Sequence, residues 1–156
     1  MMKLILVALA LTITAPVAAQ TCKVPTGWTT PTPHLAARKL PLKFALGVGP
    51  ATRLTLMSPA EVTPAVATGH KPKPATFAGL AAFDVPRAGK LTIALSTGTY
   101  VDLIRDRKIL PSSDHRHGEA CTGVRKLVTF DVTPGRYIVQ LSDAPSATLV
   151  IQATLG

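Results

Sequence analysis

The stretch SSDHRHGEACTG, residues 112–123, brings together two serines, a His-x-His pair, two carboxylates and a cysteine. In an extended backbone, residues two apart face the same way. His115 and His117 could therefore chelate one ion through both imidazoles, a donor pair suited to Cu(II) or Zn(II). Asp114 and Glu119 lie close enough in the chain to contribute, and His34 or His70 could arrive from another loop. Two plainer readings stand beside this one. The stretch could be a solvated hairpin loop in which Gly118 permits a turn into the following strand, or an anchor for a disulfide through Cys121. Nucleophilic catalysis is the weakest option: Ser112 and Ser113 sit near His115 in sequence, but no Gly-x-Ser-x-Gly elbow exists to present a serine.

Which reading applies depends on the compartment. The chain opens MMKLILVALALTITAPVAAQ, with a basic start at Lys3, an apolar run from Leu4 to Ala15, and small residues at Val17 and Ala19. That is the pattern of a signal peptide over residues 1–19, cut before Gln20. The run is shorter than the roughly 18–20 residues that span a bilayer, and no later segment approaches that length. Lipidation at Cys22 would need a Leu-Ala-Gly type of box, whereas Ala19, Gln20 and Thr21 precede it. The expectation is a periplasmic or secreted protein with one domain over residues 20–156. The chain holds two cysteines, and in an oxidising compartment they predict a single bridge, Cys22 to Cys121. It would tie the start of the mature chain to the histidine stretch.

A net charge of +9, to which Lys3 contributes one unit, favours acidic neighbours such as an anionic envelope polymer, lipid head groups or nucleic acid, and a small molecule is the other partner expected. Arg105, Arg116, Arg125 and Lys126 form the candidate anion-binding set. The charges are dispersed, and the few aromatics (4 Phe, 2 Tyr, 1 Trp) do not interleave with them as on single-stranded nucleic acid. No specific nucleic-acid motif is present.

The elements that must position these residues read as β. From Phe77 onward, segments of alternating apolar and polar or small residues are punctuated by turn residues at regular spacing: FAGLAAFDV, KLTIAL, YVDLIR, CTGVRKLVTFDV, RYIVQLS and TLVIQATL. PLKFALG and RLTLMS predict two earlier strands, and the proline-laden segment 60–74 predicts a surface loop. A short helical turn is conceivable at residues 34–39, and Trp28 is expected to cap the core. The fold class is all-β: a single antiparallel β-sandwich, jelly-roll-like, of about eight strands.

Two resemblances follow from these motifs. FDVPRAGKLTIAL, VDLIRD and FDVTPGRYIVQLS have the strand and Pro-Gly-x-Tyr rhythm of bacterial pre-peptidase C-terminal domains, over a core of residues 76–156; those are secreted β-sandwich modules that bind rather than catalyse. Over most of the mature chain, PTGW, VDLIRD, the block from His115 to Lys126 and PGRY resemble a group of small exported alphaproteobacterial proteins, often named homogentisate 1,2-dioxygenase. That name implies an iron-dependent ring-opening enzyme of aromatic compounds. A cupin-like iron box would place a carboxylate four or five residues beyond the His-x-His pair, where this chain has Cys121 and Thr122. The function expected is an exported binding or accessory protein with Cu or Zn at the His-x-His pair. The alternative is a metal-dependent oxidoreductase of aromatic compounds, with Fe as its cofactor.

Overall fold

The computed structural model describes residues 21–156. The expected leader therefore lies outside the described residues. Ten strands form two sheets: β1 (Thr32–Leu35), β2 (Ala51–Thr55), β3 (Phe77–Val85), β4 (Gly89–Leu95), β5 (Tyr100–Arg105), β6 (Lys108–Ile109), β7 (Asp114–His117), β8 (Lys126–Val132), β9 (Gly135–Ala144) and β10 (Thr148–Leu155). The six-stranded sheet runs β1-β2-β10-β4-β8-β7 and the four-stranded sheet β3-β9-β5-β6. With β1 and β7 set aside, the remaining eight strands follow the order of a jelly roll, in which successive strands, the β5–β6 hairpin apart, pass between two facing sheets. β1 and β7 extend the larger sheet, one at each edge.

Alternation in the sequence builds the core. In β4, Leu91, Ile93 and Leu95 point inward; in β8, Val128, Phe130 and Val132 do; β9 contributes Tyr137, Val139 and Leu141. These side chains fill the space between the sheets, so the interior is mostly aliphatic. The outward positions pair across strands. Thr92 stands opposite Thr129 with their hydroxyls 2.9 Å apart, Lys90 opposite Asp131 at 2.8 Å, and Arg136 grips Asp84 through two bonds of 2.7 and 2.8 Å. Such pairs fix the register that keeps the apolar faces inward.

A second, smaller cluster lies on the outer face of the larger sheet, where Trp28 packs on Ala51, Ala94 and Val124. Trp28 thus caps a sheet face rather than the main core. The segment that carries it is held by the Cys22–Cys121 bridge, with a Cα–Cα distance of 5.8 Å, and by Gln152, whose Nε2 donates to the Thr26 carbonyl at 2.9 Å. No free cysteine is found among the described residues. A bridge of this kind belongs to an oxidising, extracytoplasmic compartment. No helix among the described residues is long and apolar enough to cross a membrane.

Three local expectations are corrected. Residues 34–39 hold no helical turn, because Thr32–Leu35 pair in parallel with β2. PLKFALG is not a strand; it touches the sheet only through a bridge between Leu46 and Phe83. CTGVRKLVTFDV becomes a strand only from Lys126, since Ala120–Thr122 form a 3₁₀ turn closed by Gly123 in the left-handed region.

Gly118 has a different role from the one its turn-forming character suggests. Its φ is not positive, and a Cβ there would run into the backbone carbonyl of Val124. It is glycine because β7 and the disulfide-bearing turn meet backbone to backbone. Gly118→Ala is expected to lower unfolding stability by about 1–3 kcal/mol through overpacking; urea denaturation checks this, and an unchanged midpoint would show that the close approach is dispensable.

Candidate functional site

The histidine stretch is an edge strand, not a hairpin loop. β7 pairs antiparallel with β8, placing His115 opposite Val128 and His117 opposite Lys126. All four residues of β7 are exposed. His115 and His117 share one face, with ring centroids 6.4 Å apart and planes tilted by 54°. His117 Nδ1 faces the carbonyl of Arg125 at 3.4 Å, which leaves Nε2 toward solvent. Asp114 leans toward Arg116 at 3.8 Å, an exposed contact of little energy. Glu119 precedes the 3₁₀ turn and its carbonyl accepts from the Thr122 hydroxyl.

The other two histidines are engaged elsewhere. His34 lies against Phe44, with centroids 6.3 Å apart, at the β1 edge. His70 bonds Asp143 and stacks on Tyr100. Among the described residues no group of three or more His, Cys, Asp or Glu side chains stands together as a metal site. The space between the sheets, where a jelly roll would enclose such a centre, is filled by the aliphatic core. The residues present therefore do not fit the enclosed iron centre that the dioxygenase resemblance implies.

The four basic residues also separate. Arg105 is built into the fold: it donates to the Thr133 hydroxyl at 2.6 Å and the Tyr137 hydroxyl at 2.8 Å, and lies 5.1 Å from the Tyr137 ring centroid. Arg116 and Arg125 are exposed to solvent. Lys126 is the exception. It is half-buried and reaches from β8 across the open edge of the sandwich, where Nζ donates to the Thr99 carbonyl at 2.9 Å and lies 5.4 Å from the Tyr100 ring centroid.

That edge is open because β6 pairs only with Ile104 and Arg105, leaving the first half of β5 without a neighbour on that side. The result is a polar cleft of about 220 Å³ between β5 and the β7–β8 pair. Tyr100, Asp102, Ser112, His115 and Lys126 line it over a wall of Leu110, Val128 and Phe130. Burial lowers the Lys126 pKa, and the charge of Asp102 opposes that shift. Burial raises the Asp102 pKa, while a hydrogen bond from Gln140 and the charges of His70 and Lys126 act against it. Among the described residues no carboxylate stands within salt-bridge distance of the Lys126 ammonium.

Asp102, Tyr100 and Gln140 are the participants that sequence reasoning missed. Asp102 reads as an outward polar position of a strand, yet it is 8% exposed. The proline-rich segment explains this. It straps over the smaller sheet, with Ala65 and Val66 N–H donating to Gln140 Oε1 and Gln140 Nε2 donating to the Val66 carbonyl. Lys73 N–H then bonds Asp143, and that carboxyl is held below its ordinary range, first by this backbone bond. No part of VDLIRD announces a strap that arrives from residues 65–73.

No protein-family model matches this chain, and no curated protein matches it.

Proposed function

We propose that the protein is a periplasmic or secreted binding module that takes a small organic carboxylate in the edge cleft. The observation that carries this reading is Lys126, a half-buried cation facing a cleft whose own carboxylate, Asp102, stands beyond salt-bridge distance of it. A buried charge is costly unless paired. A carboxylate ligand would supply the missing partner, while the Ser112 hydroxyl and the His115 imidazole line the same cleft as further hydrogen-bonding groups. Its volume falls below the roughly 300–1,000 Å³ of drug-sized sites, which points to a small ligand. Aromatic acids suit it best, because Tyr100 is 54% exposed and Leu110, Val128 and Phe130 provide an apolar wall. Homogentisate, the substrate implied by the resemblance to the exported alphaproteobacterial proteins, is such an acid, and here it would be bound rather than oxidised.

Calorimetric titration with phenylacetate, homogentisate and succinate tests the reading. One saturable site per chain, tighter for the aromatic acids and only mildly weakened by salt, is expected of a formed cleft. Binding only to polyanions, with an affinity that falls steeply with salt, would instead make the charge a diffuse surface attraction to envelope polymer.

One observation favours a second reading at the same edge. The other ring nitrogen of a metal-bound histidine commonly donates to a backbone carbonyl, as His117 Nδ1 is placed to do toward Arg125. Paired with His115, it would form a two-imidazole Cu(II) or Zn(II) site completed by solvent or by a ligand carboxylate. With two protein donors only, the affinity should be modest. Either His115→Ala or His117→Ala should abolish specific uptake without loss of fold, whereas equal uptake by both variants and the wild type would place any bound metal elsewhere.

A further inference from the structure

At the opposite edge of the sandwich, a second cleft of about 280 Å³ runs between β1, β2 and β3 under the segment 41–46. Its lining is largely apolar: Leu35, Leu42, Phe44, Leu54, Leu80 and their alanine neighbours. Two of those side chains are far more exposed than apolar residues of their size usually are, Phe44 at 72% and Leu35 at 67%. Exposed apolar residues scattered singly need no explanation; two gathered at the mouth of one apolar cleft do. Lys43 lines the same cleft and Lys39 precedes Leu40 in the chain. Neither lysine is in a salt bridge among the described residues, unlike nearby Arg38, which Glu61 takes up at 3.5 Å.

An apolar slot with a free ammonium at its rim is complementary to one chemistry, an acyl chain that ends in an anion. We propose that this cleft binds a soluble, single-chain anionic amphiphile, a medium-chain fatty acid in its carboxylate form, with the chain against Leu35, Leu42 and Phe44 and the head group on Lys43. The short slot fits one chain and not the paired chains of a bilayer lipid. The cleft is separate from the Lys126 edge, so the two sites should be independently removable.

The test uses the purified protein with decanoate, decanol and butyrate, each below its micellar concentration. Decanoate is expected to bind one to one at this edge and to survive Lys126→Met. Phe44→Ser, at a largely exposed position that should leave folding intact, is expected to weaken both decanoate and decanol. Lys43→Glu should weaken decanoate by about tenfold or more, the scale of one lost charge-assisted contact, and leave decanol unchanged. Butyrate should not bind at this edge, so none should bind once Lys126→Met has removed the other cleft. Circular dichroism of both variants checks the fold. Decanoate binding that ignores both substitutions would overturn the proposal. Attachment only to anionic phospholipid vesicles, with no binding of monomeric decanoate, would overturn it in favour of a membrane-docking edge.

Discussion

Replacing both bridge cysteines, Cys22→Ser with Cys121→Ser, is expected to cost about 3 kcal/mol of unfolding stability and to lower Tm by roughly 10 °C. Two effects combine. The bridge joins residues 99 apart in sequence, so in the unfolded chain it removes the conformational freedom of a long loop. In the folded chain it holds the Trp28 segment against Ala94 and Val124. Loss of the bridge should therefore loosen this flap before the sandwich unfolds. A red shift of Trp28 emission preceding the main transition would report that order. The tryptophan is buried at 6% exposure, and it is the single one in the chain. A double variant with unchanged Tm and emission would show that the flap is held by packing and by the Gln152 bond alone.

Lys126→Met should separate binding from stability. The ammonium is half-buried, and burial lowers its pKa relative to the unfolded chain. A lysine with a depressed folded pKa destabilises the fold wherever it is protonated, that is, at pH below that folded value, and the penalty fades as pH rises toward the unfolded value. At neutral pH the apolar replacement should therefore leave stability unchanged or raise it slightly, as happens when buried charges give way to apolar groups of similar size. Affinity for an aromatic carboxylate should fall by roughly 2–3 kcal/mol, or about 30- to 150-fold, because the ligand's charge would then be buried without a partner. Arg125→Met removes an equal charge from the neighbouring, exposed position and should change affinity less than about threefold. Calorimetry and thermal melts on the two variants read both quantities. Equal losses from both would mean that net charge, not the cleft, attracts the ligand.

The strands that were legible in sequence are those with one buried face. KLTIAL, YVDLIR and TLVIQATL alternate because each lays every second side chain into the core, and they became β4, β5 and β10. The edge strands were not legible. TPHL and DHRH are exposed at every position, so no periodicity records that they are strands; backbone pairing with β2 and β8 is what orders them. The His-x-His pair, read from spacing alone, does share one face, as any extended backbone requires. The basic set did not come together, because β5 carries Arg105 to its far end, where Tyr137 and Thr133 engage it. Asp102 was hidden for the opposite reason. Its burial depends on a strap from the 60s and 70s of the chain, a contact that local pattern cannot encode.

The edge cleft can be examined residue by residue through amide chemical shifts recorded while phenylacetate is titrated into the labelled protein. Perturbations are expected to concentrate at Thr99 to Asp102, Ser112 to His115 and Lys126 to Val128, to saturate at one ligand per chain, and to vanish in Lys126→Met. Shifts spread evenly over the basic surface, or centred on the Leu54 and Leu80 edge with Lys126 silent, would contradict a carboxylate site between β5 and the β7–β8 pair.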